Sequence, residues 1–565
     1  MTGSATSTTN ETTTESDHPY EGEPRSWFTL DRLWLWAFLA LVAAALPLLV
    51  FHYGARQWFA GDEWWLLVDQ AGAGVPDLLE PHGGSHWVAV PRVIYRGLWE
   101  VFGIDSYRPY LLVVVVMHLA VAVLLRVVMR RSGVSPLLAS AAAALFVLCG
   151  PGATNTVWAF QVSFVGSMTW GLAHLVLADH DGPLDRRDLA GLGFGLLAIT
   201  SSGVGVSATV AVGVAVLLRR GWRSALTHTA PLAVIQLGWV ALVDATVSGP
   251  FGRPPLSVLI DWVRDSAVGA MVGLGHLVVV AWVLVVLLVV GLLLVVRAAP
   301  GPDAPRLRTA GSMPIGLAVA ALFFAVTTGT VRSWLGAETA RSDRYIYLYA
   351  AFLLPLLAVA AQAVARRWQV LTAGLAALFL LPIPFNLTTF DDRLRFTPAI
   401  LDDQRFVLTT AVRMPFARDV PDDVAPIPRA FIRDATIGFL LAAEADGKLT
   451  PSTVPLTTGV VNEFKVRLGV AQRRVLGGPT GCRDLPGPID IAPARGDVLQ
   501  LAGTVMISTV DDDQPTSRPI LFKPDAFHGS ELTIELPDLH LRLEPPIGAT
   551  TVALCEDRLV FEGPG

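Results

Sequence analysis

YLLVVVVMHLAVAVLLRVVMRR, the stretch from Tyr110 to Arg131, decides how this chain folds. Between Tyr110 and Met129 only His118 and Arg126 are strongly polar, and Arg130 and Arg131 then close the run. Twenty helical residues rise about 30 Å, the thickness of a bilayer's hydrocarbon core. A helix that is apolar on every side at that length belongs in lipid or in the middle of a large bundle.

Runs of the same kind recur at about 31–53, 134–151, 157–178, 187–202, 204–219, 226–246, 275–297, 312–331, 343–365 and 367–385. They predict an α-helical polytopic membrane bundle of about eleven transmembrane helices over residues 31–390. The pair at 187–219 is brief and turns at Thr200-Ser201-Ser202-Gly203, so ten or twelve crossings stay open. The first run lacks a small-residue cleavage site and reads as a retained helix. Ahead of it, residues 1–30 begin with Thr, Ser, Glu and Asp and almost nothing apolar, which predicts a disordered tail. The chain is 53% hydrophobic and only 16% charged, against about 25% charged in soluble domains. The small net charge of −6 implies no nucleic-acid partner.

Arginines cluster at alternate connections: Arg130 and Arg131, Arg186 and Arg187, Arg219, Arg220 and Arg223, Arg297 to Arg308, Arg366 and Arg367. The positive-inside rule puts these in the cytoplasm. With eleven crossings the N-terminus is cytoplasmic, and residues 391–565 form an extracytoplasmic domain of a multi-pass plasma-membrane protein. Only three lysines occur, Lys448, Lys465 and Lys523, so arginine carries nearly all the positive charge. Cys149 lies in an apolar helix end. Cys482 and Cys555 fall in the external domain, where a disulfide can persist; we expect a Cys482–Cys555 bridge, with two unpaired thiols as the alternative.

The first external loop contains Gly61-Asp62-Glu63-Trp64-Trp65 and Glu80-Pro81-His82-Gly83-Gly84-Ser85-His86-Trp87. Carboxylates just beyond a transmembrane helix, flanked by Trp, sit at headgroup depth. Partial desolvation there raises a carboxyl pKa and suits it to act as a base. The same residues also suit a solvated acidic turn beside an aromatic belt. Residues 87–103 read as an amphipathic helix with Arg92, Arg96 and Glu100 on its polar face. Leu256–Met271 reads likewise, with Asp261, Arg264 and Asp265. Such helices lie flat on the outer leaflet and would roof a cavity open to lipid.

Arg341-Ser342-Asp343-Arg344-Tyr345 starts the tenth run. Guanidinium groups match phosphate oxygens bidentately; an Arg and Tyr interface anchor is the plainer alternative. Gln161, in Trp158-Ala159-Phe160-Gln161, is a polar amide in an apolar helix, suited either to a site or to bonding a neighbouring helix. His118 and His174 read as structural.

Gly61-Asp62-Glu63-Trp64, His86-Trp87, Trp158-Ala159-Phe160-Gln161 and Ser342-Asp343-Arg344-Tyr345, set in a many-helix bundle with an outer domain, resemble the GT-C class of membrane glycosyltransferases. Within it the likeness is to actinobacterial relatives of protein O-mannosyltransferases and aminoarabinose transferases, over residues 31–385. The resemblance implies a polyprenyl-phosphate sugar donor used on the outer face and a cell-envelope glycan or glycolipid acceptor. By that analogy Asp62 is the base and transfer inverts the anomeric centre. Glu63 assists or holds a divalent metal, in a family not uniformly metal-dependent. Arg341 and Arg344 face the departing phosphate, and His86, Gln161 and Tyr345 bind substrate.

The external part should hold a helix over Ile427–Glu444. Short strands should follow at Val498–Val510, Ile520–Lys523, Glu531–Leu536, Leu539–Leu543, Thr550–Cys555 and Leu559–Phe561, a pattern that suits a β-sandwich-like domain. No Trp follows Trp368, and Phe522 and Phe527 are poor sugar platforms. A transporter or flippase of lipid-linked glycans, lacking transferase activity, is the competing reading, though midplane charges and internal repeats are scarce. A non-catalytic scaffold is a third.

Overall fold

In the computed structural model, residues 30–68, 74, 76–83, 86–243, 252–298, 304–427, 432, 434–475, 482–501, 503–511, 514–523, 529–546, 549 and 551–555 are described. The expected N-terminal tail and the strand expected at 559–561 lie outside them. The bundle comprises α1 (Leu30–Pro47, continued by a π-helical turn over Leu48–Tyr53), α2 (Glu63–Val68), α3 (Ala89–Phe102), α4 (Arg108–Arg131), α5 (Pro136–Val147), α6 (Ala153–Val157), α7 (Val162–Ala178), α8 (Arg186–Ile199), α9 (Val204–Arg220), α10 (Trp222–Val243), α11 (Leu256–Gly275), α12 (Val278–Ala298), α13 (Ala304–Arg332), α14 (Asp343–Arg367), α15 (Thr372–Leu380) and α16 (Ile383–Ala411).

The described residues of every apolar run are mostly helical. Among the described residues, eight helical stretches are long and apolar enough to cross a membrane, or nine if the pair Pro136–Val147 and Gly150–Val157, bent by 44°, is one crossing. These apolar helices make the chain consistent with a multi-pass membrane protein. The difference between nine and eleven lies in α8 and α9, which have only 14 and 17 residues.

Position in the bundle follows composition. Glycine and alanine let backbones approach: a Cβ on Gly171 would lie 2.3 Å from Ala208 Cβ, and one on Gly291 would lie 2.5 Å from Ala360. Small residues of this kind are the usual contact surface between membrane helices, where no hydrophobic force distinguishes helix from lipid. α14 and α7 are therefore central, whereas α12 keeps Val279, Trp282, Val286 and Val296 exposed as an apolar outer stripe.

The two ends of the bundle differ in charge. Arg131 at the end of α4 donates to Val176 O, Arg219 pairs with Asp179, Arg220 pairs with Asp188 across 2.5 Å, and Arg366 donates to Gly133 O. These contacts collect four of the five arginine clusters at one end. Asp62, Thr154, Arg341 and Asp343 lie at the other.

Both amphipathic helices exist, with a correction to one face. α3 buries Arg92, whose guanidinium meets Asp77 O, Glu80 at 3.1 Å and the Trp65 ring at 4.4 Å. Its exposed side carries Val93, Val101 and Phe102. Arg92 thus joins the protein side because the loop supplies it with a carbonyl, a carboxylate and an indole. α11 buries Trp262, Ser266, Gly269 and Ala270 and exposes Leu256 and Ile260.

α16 runs straight through the expected domain boundary at 390. Arg393 pairs with Asp343, Arg56 with Asp402, and Arg518 with Asp403 at 2.9 Å. This helix therefore ties the bundle, the first loop and the C-terminal part together. Beyond it come α17 (Ile437–Ala445) and α18 (Thr458–Gly469), each capped by a Thr side chain. Next to α17, Ile104 N donates to Lys448 O at 2.8 Å and Thr450 N to Asp105 at 2.6 Å. The C-terminal part is thereby docked at the Asp62 end.

Two antiparallel sheets complete the fold. One orders Val470–Val475, Gly529–Ile534, Val498–Leu501, Thr551–Cys555 and Cys482–Pro486. The other orders Ile489–Ile491, Leu541–Glu544, Val505–Asp511 and Gln514–Pro515, with Ile520–Phe522 also on Val505–Asp511. Leu532 and Ile534 of the first sheet and Ile507, Leu541 and Leu543 of the second share one core. The expected strand Val498–Val510 is two strands, and the three strands between 470 and 491 were not foreseen. Phe522 is fully buried, which removes it as a sugar platform; Phe527 lies outside the described residues. The register pairs Cys482 with Cys555 directly, while the side chains of both lie outside the described residues.

Candidate functional site

The site is built from the turn after α1. Gly61 has φ +60°, a left-handed conformation that costs other residues. It reverses the chain so that α2 starts at Glu63 and the two adjacent carboxylates part. Glu63 is fully buried. Its Oε1 accepts from Tyr95 Oη at 2.7 Å and Tyr107 Oη at 3.1 Å; its Oε2 accepts from Ala60 N at 2.8 Å and Trp158 Nε1 at 3.0 Å. Burial pushes the Glu63 carboxyl up to about 7, against the opposing effect of these hydrogen bonds. The desolvated carboxylate foreseen for this loop is thus Glu63. The Asp62 side chain is 29% exposed, with His82 Nε2 at 3.7 Å.

Asp62 lines a cavity of about 810 Å³. One wall comes from Gly61, Asp62, Thr154 and Trp158; a second from Glu338, Thr339 and Arg341–Arg344; a third from Arg393, Gln404 and Ile432. The structure therefore brings Asp62, Arg341 and Arg344 to one cavity, although some 280 residues separate them in sequence. Arg341 pairs with Asp265. Asp343 holds Arg393 and accepts from Thr154 Oγ1 at 3.1 Å. Arg344 forms no ion pair among the described residues and lies 5.7 Å from its neighbour's Tyr345 ring. α14 starts here, so the positive end of its dipole adds to the Arg344 charge.

The remaining candidates surround the cavity without lining it. His86 sits where the loop meets the α8–α9 turn, with Val90 N bonded to Thr200 O. Burial, aided by Arg332, His82 and Arg344 and opposed by Asp62, lowers its imidazole to about 4. Tyr345 is buried between Trp262 and Phe324. Gln161 is buried with its Oε1 unpartnered. His118 joins Tyr347 Oη and Val147 O, both at 3.0 Å, and His174 joins His228 at 2.9 Å; both tie helices together. Sequence reasoning missed Arg393 and Gln404, which carry no local signal and reach the cavity because α16 continues past the bundle, and Ile432, which lies beyond the end of that helix. It also missed the partnership of His82 with Asp62.

Neither carboxylate arrangement favours a metal. Both Glu63 oxygens already accept two donors each, so a cation would have to displace them. At the arginine-rich end, His180, Asp185 and Asp188 bring ligand atoms within 4.8 Å of one another. Arg220 Nη1 stands 2.5 Å from Asp188 and 3.3 Å from His180 Nε2, which puts a positive charge where an ion would go.

No protein-family model matches the chain, and no curated protein matches it.

Proposed function

We propose that the chain transfers a sugar from a polyprenyl-phosphate-linked donor to a cell-envelope acceptor on the outer face of the membrane. One observation carries this reading: an accessible carboxylate, Asp62, and a guanidinium with no ion pair among the described residues, Arg344, share a cavity at the end of an apolar bundle. Asp62 takes the proton from the acceptor hydroxyl, whose oxygen attacks the anomeric carbon. The bond from that carbon to the phosphate oxygen breaks with inversion, and the electron pair leaves on polyprenyl phosphate. Arg344, supported by the start of α14 and by Arg341, stabilises that charge, where fixed donors act most strongly. Glu63 holds the turn that presents Asp62, and His86 lies close enough to respond to the charges of Asp62 and Arg344.

The topology in this reading has eleven crossings, with the short α8 and α9 spanning a locally thinned layer. Nine or eleven crossings both leave the termini on opposite faces, and the arginine-rich end supports a cytoplasmic N-terminus. The Asp62 cavity and the C-terminal part then face outwards, and the paired register of Cys482 and Cys555 supports a disulfide there.

The flippase alternative needs a polar path between the faces. The His174–His228–Asp188 chain gathers at the α8 and Ala178 end of the bundle, and α7, about 25 Å long, separates it from the cavity. The test is a deletion strain complemented with wild type or Asp62→Asn. Loss of one envelope glycan only in the variant, at equal protein level, supports transfer; an unchanged envelope refutes it.

A further inference from the structure

Two residues that line the cavity, Gln404 and Ser342, each carry a buried side-chain oxygen with no hydrogen-bond partner among the described residues. Gln404 is only 8% exposed, and its Oε1 accepts no hydrogen bond. Ser342 occupies the N-cap of α14, where a serine oxygen ordinarily accepts from the helix's first amides. Here it makes no cap hydrogen bond, and its Oγ is buried and unpartnered. A buried polar atom left so costs about 1–3 kcal/mol, a cost that a ligand in the cavity would remove once a side-chain rotation turned these atoms towards it.

The surroundings are fixed. Gln404 follows Asp402 and Asp403, which are clamped by Arg56 and Arg518. It lies eleven residues beyond Arg393 on α16, about 16 Å along the helix axis, so the lining extends well away from Asp343. Trp158 stands in the first wall with its Nε1 held by Glu63, which orients the indole face. Asp343 and Arg393 neutralise one another. Orphaned neutral donors and acceptors, a locked aromatic plane and a compensated ion pair are the chemistry that recognises hydroxyl groups on an uncharged ring.

We propose that Trp158, Ser342 and Gln404 form a subsite for a neutral carbohydrate, the acceptor glycan of the transfer. The identification of this ligand as the acceptor rests on the transferase reading; the subsite itself does not. A site built to hydrogen-bond hydroxyls rejects analogues that lack them.

The test uses the full chain in lipid nanodiscs, with methyl glucoside, methyl mannoside and methyl arabinoside as probes, cyclohexanol as the apolar control, and decaprenyl phosphate binding measured on the same samples. Ser342→Ala removes a hydroxyl that bonds nothing among the described residues, and Gln404→Leu keeps the side-chain shape, so both should fold with unchanged Tm. At least one glycoside should bind, at millimolar Kd, at least tenfold more weakly to each variant, with cyclohexanol inert and decaprenyl phosphate binding retained. Glycosides that fail to bind, or that bind wild type and both variants equally, overturn the subsite whatever the lipid does. If decaprenyl phosphate fails to bind while glycoside binding still depends on Gln404, the subsite stands and the transferase reading falls.

Discussion

Trp158 Nε1 donates a 3.0 Å hydrogen bond to Glu63 Oε2, and the same indole forms part of the wall that Asp62 lines. A fully buried carboxylate therefore anchors the turn carrying the exposed one. Glu63 also receives Tyr95 from α3 and Tyr107 from just before α4, so the first loop, α3 and α4 converge on a single carboxyl group.

That anchor makes stability depend on pH. The Glu63 carboxyl rises from 4.5 to about 7 on folding. The folded state then holds a proton that the unfolded chain has released. The associated stability is present below pH 4.5 and is lost as pH rises towards 7, about 3 kcal/mol in all. His86 falls from 6.5 to about 4, so it acts oppositely: its stability is present above pH 6.5 and lost as pH falls towards 4. In the wild type the two slopes oppose one another. Glu63→Gln should leave the His86 slope alone, so that Tm falls on acidification from pH 6.5 more steeply than in the wild type. Identical Tm–pH curves for the two proteins would refute the assignment.

Gly61→Ala places a Cβ at φ +60°. The strain of about 1–2 kcal/mol should lower Tm by a few degrees. It should also cut any activity that depends on Asp62 by more than the stability loss explains, because the turn sets the carboxylate's position. An activity unchanged at permissive temperature would show that the turn does not control Asp62.

Cys482 and Cys555 pair in register. A bridge between them closes a loop of 74 residues, which the chain-entropy model values at about 4 kcal/mol. Non-reducing peptide mapping of protein from an oxidising compartment should recover the linked pair, and Cys482→Ser should lower the Tm of the C-terminal part. Two free thiols in such a preparation would contradict both the bridge and the outward placement.

Arg341 and Arg344 should behave differently. Arg341→Ala leaves Asp265 without its partner and should cost up to about 1 kcal/mol of stability, since the pair is half exposed. Arg344→Ala breaks no ion pair among the described residues and should leave Tm unchanged while weakening phosphate binding roughly ten- to hundredfold. Equal phosphate affinity in wild type and Arg344→Ala would remove Arg344 from the site.

Much of this was legible in the sequence because bilayer thickness fixes the length of an apolar run. Over their described residues all eleven runs are mostly helical, and Asp62, Arg341 and Arg344 meet at one cavity. Composition reports solvent rather than secondary structure, so the change near residue 390 marked where the chain turns polar, while α16 continued as helix to Ala411. Periodicity gave α3 its amphipathic character but assigned Arg92 to the wrong face, since the burial of an arginine depends on partners elsewhere in the loop. Which of two neighbouring carboxylates is buried depends on a single left-handed glycine. Gln404 was invisible because its position is set by Arg56 and Arg518, one far upstream and one far downstream.

The most direct measurement is binding of decaprenyl phosphate, against the uncharged prenyl alcohol, to the purified chain by native mass spectrometry. Wild type and Asp62→Asn should retain the phosphate lipid, Arg344→Ala should lose it, and the alcohol should bind none of them above background. Equal retention of phosphate and alcohol by all three proteins would contradict the proposed site.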